Sequence, residues 1–449
     1  MQDGAPPLLG DELPALRTAV PGPRSRALAA RLAAAESRNV TRIAADTPIF
    51  WDAGRGAAIR DADGNVYVDL TAGFGVSTAG HANPTVATAI ARQAARLPHA
   101  LGDVHPAEPK LLLLERLRQI TPGELGFGIL ASAGAEAVEA ALKTAFLRTG
   151  RPGVLAFEGA YHGLTYGALS ATWRRDFRQA FEAQLFPGVR FAPFPSGTAP
   201  DPGAALDAAL AGVDEALRSA ESGPHPIGAI LIEPMLGRGG LVVPAPGFLR
   251  ALRERCDGAR RVLIFDEVYM GVGRTGAWFC CQHEDVVPDI LVLGKALTGS
   301  LPLSAALGSP DVMAAWPPSE GEAIHTSTFL GNPVACAAAL AQLDFIEQNG
   351  LIQRAAAVGR HIAERTARWR ETIPGVVDVR GRGLLQGVQL AGPGRRALEV
   401  CRLAQEQGVL VLAEGSDADV IAITPPAVVT DAQLDAALDV REGALRATS

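Results

Sequence analysis

Val262-Leu263-Ile264-Phe265-Asp266-Glu267-Val268 and, one apolar run later, Ile290-Leu291-Val292-Leu293-Gly294-Lys295 decide how this chain is read. Each is a short run of large apolar residues that stops at a charged side chain, the pattern of a strand buried on both faces that emerges at its carboxyl end. Working outward, similar runs stand at Phe127–Leu130, Val154–Phe157 and Ile227–Ile232. Between them lie helix-like stretches at Pro84–Leu97, Ala135–Arg148, Ala204–Ala220 and Gly247–Cys256. Such alternation predicts an α/β fold with a mostly parallel sheet covered by helices. In sheets of that kind ligands bind beyond the carboxyl ends of the strands, where Glu233, Asp266 and Lys295 all fall.

The flanks read differently. Residues 1–23 are rich in Pro and Gly and read as a flexible tail, without the basic start and apolar run of a signal peptide. Residues 24–72 carry a helix near Arg24–Arg38, then short strands around an Asp63-Gly64 turn, and are assigned to a smaller domain. Residues 73–340 form the large domain. Pro333–Gln348 reads as a long connecting helix, and residues 341–449 complete the smaller α+β domain with helices (351–371, 394–407) and strands (384–390, 409–412, 420–423).

Composition narrows the partners. A net charge of −7 over 449 residues offers no electrostatic case for nucleic acid or an anionic membrane surface. No uncharged apolar run reaches the roughly 20 residues that a membrane helix needs. The five cysteines, an odd number with no C-x-x-C spacing, point to reduced thiols and a cytoplasmic location. The histidines match no metal-ligand spacing, no G-x-S-x-G is present, and Gly294-Lys295-Ala296 lacks the glycine and hydroxyl of a phosphate loop.

A lysine and a carboxylate meeting at strand ends is the pairing that a pyridoxal phosphate site requires. The lysine forms a Schiff base and the acid keeps the pyridine nitrogen protonated. Val268, two residues past Asp266, is placed to press on a flat ring. Ser132-Ala133-Gly134-Ala135-Glu136 follows a strand and opens a helix, where small residues and free N–H groups suit a phosphate. Tyr161, after the run Val154–Phe157, offers a ring for stacking.

Taken together, the chain resembles the class III pyridoxal phosphate-dependent aminotransferases, the group of the ornithine, 4-aminobutyrate and ω-amine enzymes, from about residue 45 to about residue 440. The segments that carry the resemblance include Asp61 to Asp69, Gly80-His81, Gly134 to Glu139, Tyr161-His162-Gly163, Glu233-Pro234 with Gly239-Gly240, Phe265 to Val268 with Gly273-Arg274-Thr275-Gly276, Gly294-Lys295, Thr326 to Phe329 with Gly331-Asn332-Pro333, and Arg380-Gly381. The resemblance implies the fold type I architecture of pyridoxal phosphate-dependent transferases and pyridoxal 5'-phosphate as cofactor. It implies that Lys295 binds the cofactor and shuttles the proton, Asp266 pairs with the ring nitrogen, and Val268 and Tyr161 sandwich the ring. Gly134 and Ala135 would hold the phosphate, Glu233 would support the site, and Thr328 would reach the phosphate of the neighbouring subunit in a homodimer. The substrates would be a small-molecule amine and a keto acid, pyruvate or 2-oxoglutarate.

Departures bear on the substrate. Ala422 stands where ornithine-type members carry an arginine for the α-carboxylate, Arg238 where they carry its glutamate partner, Leu164 where many carry an arginine, and Leu236 in place of a glutamine. The usual carboxylate-binding arginines are therefore expected to be absent. The donor is then an amine without a nearby carboxylate, or one whose acid a relocated cation holds: Arg238 first, Arg174 or Arg175 behind it. Phe74 is a further candidate for the substrate wall. An amino-acid epimerase or racemase would use the same lysine and acid, and a non-catalytic doubly wound binding protein would need neither.

Overall fold

The strands Gly153–Phe157, Ile227–Ile232, Val262–Asp266 and Ile290–Leu293 are buried along their whole length. Their side chains alternate between two apolar layers, as the period of a strand demands. Val262 and Ile264 face one layer with Ala137, Val138 and Ala141 of the helix Gly134–Thr149. Leu263 and Phe265 face the other, with Phe248 and Leu252 of the helix Phe248–Ala259. Burying a Leu, Ile or Phe side chain in this way contributes about 1.5–3 kcal/mol, so the two layers fix the sheet.

The computed structural model describes residues 8–44 and 47–449. The first seven residues of the tail read from sequence therefore lie outside the described residues. The central sheet has seven strands in the order Phe127–Ala131, Ser304–Gly308, Ile290–Leu293, Val262–Asp266, Ile227–Ile232, Gly153–Phe157, Val189–Ala192. Ser304–Gly308 runs antiparallel to both of its neighbours, and the pairings among the remaining strands are parallel. This is the α/β, mostly parallel arrangement expected, and Asp266 ends one strand while Lys295 follows the next.

Two smaller sheets flank it. One joins Trp51–Arg55, Ala58–Asp61 and Val66–Asp69 to Val409–Leu410, the last pairing in parallel with Val66–Asp69. The other is antiparallel: Val376–Arg382, Leu385–Leu390, Val420–Ile423, Leu412–Glu414. The stretch 409–412, read as one strand, is thus divided between two sheets at Val411. The Asp63-Gly64 turn forms as expected, with Gly64 at φ 85° and the Asp61 carboxylate accepting from the N–H of Asp63 and of Asn65, both at 2.9 Å. Just upstream of the first helix, Asn65 Oδ1 accepts from the N–H of Arg17 and Thr18 at 2.7 and 2.9 Å, so this part of the chain lies along the small sheet.

Helix Pro333–Gln348 has the predicted bounds because Asn332 caps it, accepting from Val334 and Ala335 N–H at 3.0 and 3.1 Å, with proline in the first turn. The predicted helix over 351–371 is instead broken into Leu351–Thr366 and Trp369–Thr372. Buried Thr366 bonds its hydroxyl back to Ile362 O at 2.8 Å at the break. Among the described residues no helix is long and apolar enough to cross a membrane.

Candidate active site

Four strand ends and one helix start converge on a single cleft. Asp266, buried, accepts from the Val268 N–H at 3.0 Å through one oxygen and contacts His162 Nδ1 at 2.8 Å through the other. His162 has no solvent-exposed side-chain surface, and its Nε2 has no partner among the described residues. In the sequence His162 reads only as an ordinary neighbour of Tyr161. Its place on the turn directly after a buried strand was the available signal.

Lys295 starts a short 3₁₀ turn at φ 41°, a conformation that a non-glycine residue adopts only when its surroundings hold it there. Burial pushes its amine below the ordinary lysine value. The carboxylates of Asp266 and Glu233 pull the other way, and the Arg238 guanidinium works with burial. Its Nζ lies 4.6 Å from the centre of the Tyr269 ring. That ring is wedged between two glycines: a Cβ on Gly75 or on Gly237 would come within 2.4 Å of it. Tyr269 was not foreseen, because an aromatic after Val268 reads as core in a sequence.

Val268 packs against the glycines of both neighbouring turns; a Cβ built on Gly134 or Gly294 would lie 3.0 or 3.2 Å from its methyl groups. At the start of helix Gly134–Thr149 the Glu136 carboxylate accepts from Ser132 N–H at 2.8 Å and Ala133 N–H at 3.4 Å. The N–H groups of Gly134 and Ala135, in the first turn, have no intrahelical acceptor. They form a half-buried anion cradle, closed from the side by Gly163 at φ 124°, where a Cβ would meet Ala135 Cβ at 2.5 Å.

Glu233 is buried and accepts from the N–H of Tyr161 at 2.8 Å and of Gly237 at 2.9 Å, joining two loops of the site. Burial pushes its carboxyl up to about 7. The Tyr161 ring lies 4.7 Å beneath the Arg238 guanidinium, with the Phe177 and Phe74 rings at 5.4 and 5.7 Å. Phe74 is brought there by left-handed backbone at Gly73 and Phe74 itself. Arg238 pairs with Glu414, Nε to Oε2 at 3.5 Å. Glu414 was not singled out from sequence.

Other candidates fall elsewhere. Ala422 is buried in its strand, and Leu164 is 51% exposed. Arg174 is engaged by Asp176 at 3.1 and 2.6 Å, and Arg175 is exposed. Thr328 sits in an exposed turn that Thr326 ties to Asp103 at 2.8 Å, and among the described residues no contact joins it to Asp266 or Lys295 of its own chain. Leu236 is buried against Gly159.

These residues fit a flat, phosphate-bearing ring with a basic nitrogen. An acid oriented from two sides lies at one end, free helix N–H groups at another, an amine at a third, and the branched side chain of Val268 between glycines forms a wall. The comparisons with known proteins agree. The family model described as "Aminotransferase class-III" matches residues 40–445. A 4-aminobutyrate aminotransferase of Mycobacterium leprae is 37% identical over 443 residues, covering 95% of this chain and 96% of that one. An acetylornithine aminotransferase of Methanosarcina mazei is 36% identical over 409 residues, covering 91% and 95%. The crystal structure of a thermostable (S)-enantioselective ω-transaminase from Thermomicrobium roseum superposes with a TM-score of 0.86 at 28% identity, covering 94% of this chain and 98% of that one. The chain therefore belongs to the class III aminotransferases, enzymes of the pyridoxal phosphate-dependent fold type I that transfer amino groups.

Proposed function

We propose that this enzyme takes the amino group from a primary amine or ω-amino compound and passes it to a keto acid, pyruvate or 2-oxoglutarate. The observation that carries the reading is the pair of residues at 422 and 238: a buried alanine packed in an apolar cluster with Tyr269, and a stacked, half-buried guanidinium. With alanine at 422 no cation stands there to grip a carboxylate, so that position does not demand a donor with an acid. Arg238 remains as the cation for the acid of the keto acceptor.

The residue roles follow from the geometry. Pyridoxal phosphate, when bound, supplies an electron sink for the carbanion left at the substrate carbon. Lys295 would hold it covalently, and its amine, pressed towards the neutral form by burial, would take the proton from the substrate Cα. Asp266 would stand at the ring nitrogen, kept in place by His162 and the Val268 N–H. Gly134 and Ala135 would donate to the phosphate, Val268 and Tyr161 would flank the ring, and Glu233 would hold the Tyr161 turn. Phe74, against the Arg238 guanidinium, would line the path of the donor's arm.

The same proposal covers the assembly. Residues 24–72 and 341–449 act as the smaller domain and 73–340 as the cofactor domain, a division supported by the sheet that joins Val66–Asp69 to Val409–Leu410. A homodimer is supported by one apolar face. Leu101 and Val104 are exposed beside exposed Ile324 and Phe329, and the His99–Phe329 ring contact at 5.5 Å joins the two segments. Thr328 lies on that face, placed to enter a second copy's site. A cytoplasmic location is supported by five cysteines, none of them in a disulfide.

The test uses the small number of lysines. The chain has three: Lys110, Lys143 and Lys295. Borohydride reduction of the holoenzyme, followed by peptide mapping, is expected to mark Lys295 alone. A panel of amines and ω-amino acids against the two keto acids is expected to yield a carbonyl product and the amino acid of the acceptor. A mark on Lys110 or Lys143, or no amino acid formed with any donor, would overturn the proposal.

A further inference from the structure

Glu414 is 1% exposed, and neither of its carboxylate oxygens has a hydrogen-bond partner among the described residues. A buried carboxylate without a hydrogen bond is costly, so its placement calls for a reason. It ends the strand Leu412–Glu414, which pairs with Val420–Ile423 in the register Leu412 to Ala422 and Glu414 to Val420. Side chains two apart on a strand share a face. Glu414 and Ala422 therefore lie on the same face of the small sheet.

Across the cleft, Arg238 is held twice by this corner. Its carbonyl accepts from the Gly415 N–H at 3.0 Å, and its Nε lies 3.5 Å from Glu414 Oε2. The Nε edge is buried; the two terminal nitrogens are not. Three aromatic faces, Phe74, Tyr161 and Phe177, surround the guanidinium carbon. The side chain is thus pinned along one edge and by its flat faces, while the forked end, the part that binds a carboxylate bidentately, stays open. Arg174 and Lys295 are the other cations that act on Glu414, and neither lies within ion-pair distance of it.

We infer that Glu414 is a positioning residue for substrate acids: it anchors the Nε edge of Arg238 so that the terminal fork meets the carboxylate of the keto acid. The pairing is an exchange of signs across the cleft. By the resemblance read from the sequence, ornithine-type members would carry the arginine at the position of Ala422 and its carboxylate at that of Arg238. Here the loop carries the arginine and the same sheet face carries the acid, one strand over. Selection for a carboxylate is thus kept, read from the loop instead of the sheet. This rests on the reading of Arg238 as the acceptor's cation.

Steady-state kinetics of the holoenzyme with pyruvate and with 2-oxoglutarate test both levels. Arg238→Ala is expected to raise the keto-acid KM about tenfold or more. Glu414→Gln, nearly isosteric, is expected to raise it about tenfold while kcat changes less than about threefold, the signature of lost ground-state binding. If Arg238→Ala leaves the KM unchanged, the reading of Arg238 falls and this inference with it. If Arg238→Ala raises the KM and Glu414→Gln does not, or lowers kcat alone, only the role of Glu414 is overturned. Should Glu414→Gln fail to retain cofactor, Glu414→Asp replaces it: a KM raised about threefold supports the inference, and an unaltered KM overturns it.

Discussion

Buried acids give this protein its most direct residue-level signature. Glu233 and Glu267 are both fully buried, and burial pushes each carboxyl up to about 7 from an ordinary 4.5. Glu267 accepts from the N–H of Cys280 at 2.5 Å and of Cys281 at 2.8 Å, which favours the charged form without overcoming burial. A raised folded-state value means that the native protein binds more protons than the unfolded chain between about pH 4.5 and 7. Their stabilising contribution is therefore full below that window and is lost as pH rises through it. The melting temperature of the cofactor-free protein should accordingly fall between pH 5 and 7 and level off above. Glu267→Gln mimics the protonated acid, so its melting temperature should gain on the parent as pH rises across that window. A constant offset between the two curves would refute the assignment. Sequence alone showed Asp266 and Lys295 because each punctuates an apolar run. Glu414 stayed hidden because its partner, Arg238, is remote in the chain, and an acid before a glycine reads as a turn.

Elements were legible where burial dictates sequence. The strands Val262–Asp266 and Ile290–Leu293 are apolar because both faces are covered. Ser304–Gly308 was missed because Ser-Ala-Ala-Leu-Gly has little strand preference; its neighbours on both sides recruit it into the sheet. The strand Val376–Arg382 was missed for a related reason, since its charged and glycine residues suit a half-exposed edge. At the site, the packing of one turn on one helix is the sensitive contact. Gly163→Ala forces a side chain into left-handed backbone and against Ala135 at 2.5 Å. Loss of about 1–3 kcal/mol of stability is expected, together with a cofactor dissociation constant raised tenfold or more, because the displaced helix start carries the Gly134 and Ala135 N–H groups. Fluorescence titration of the cofactor into the apoenzyme measures this, and parental affinity would show that the cradle does not depend on that contact.

At the scale of the whole molecule, a single copy would not complete the proposed site, since Thr328 lies on the exposed apolar face. Leu101→Asp, placed in that face at 56% exposure, should yield monomers by light scattering and lower cofactor affinity with them. A variant that turns monomeric with unchanged affinity, or a parent that is itself monomeric, would rule out the shared site. The division of 409–412 has a consequence of its own. The chain passes from Leu410 in one small sheet to Leu412 in the other through Val411, and Thr424, just past the strand Val420–Ile423, donates its N–H to Leu70 O at 2.7 Å just past the strand Val66–Asp69, so the two sheets are stitched at two neighbouring points. The strand that carries Glu414 is thus seamed at its start to the chain's first sheet, and the corner that holds Arg238 shares its footing with both.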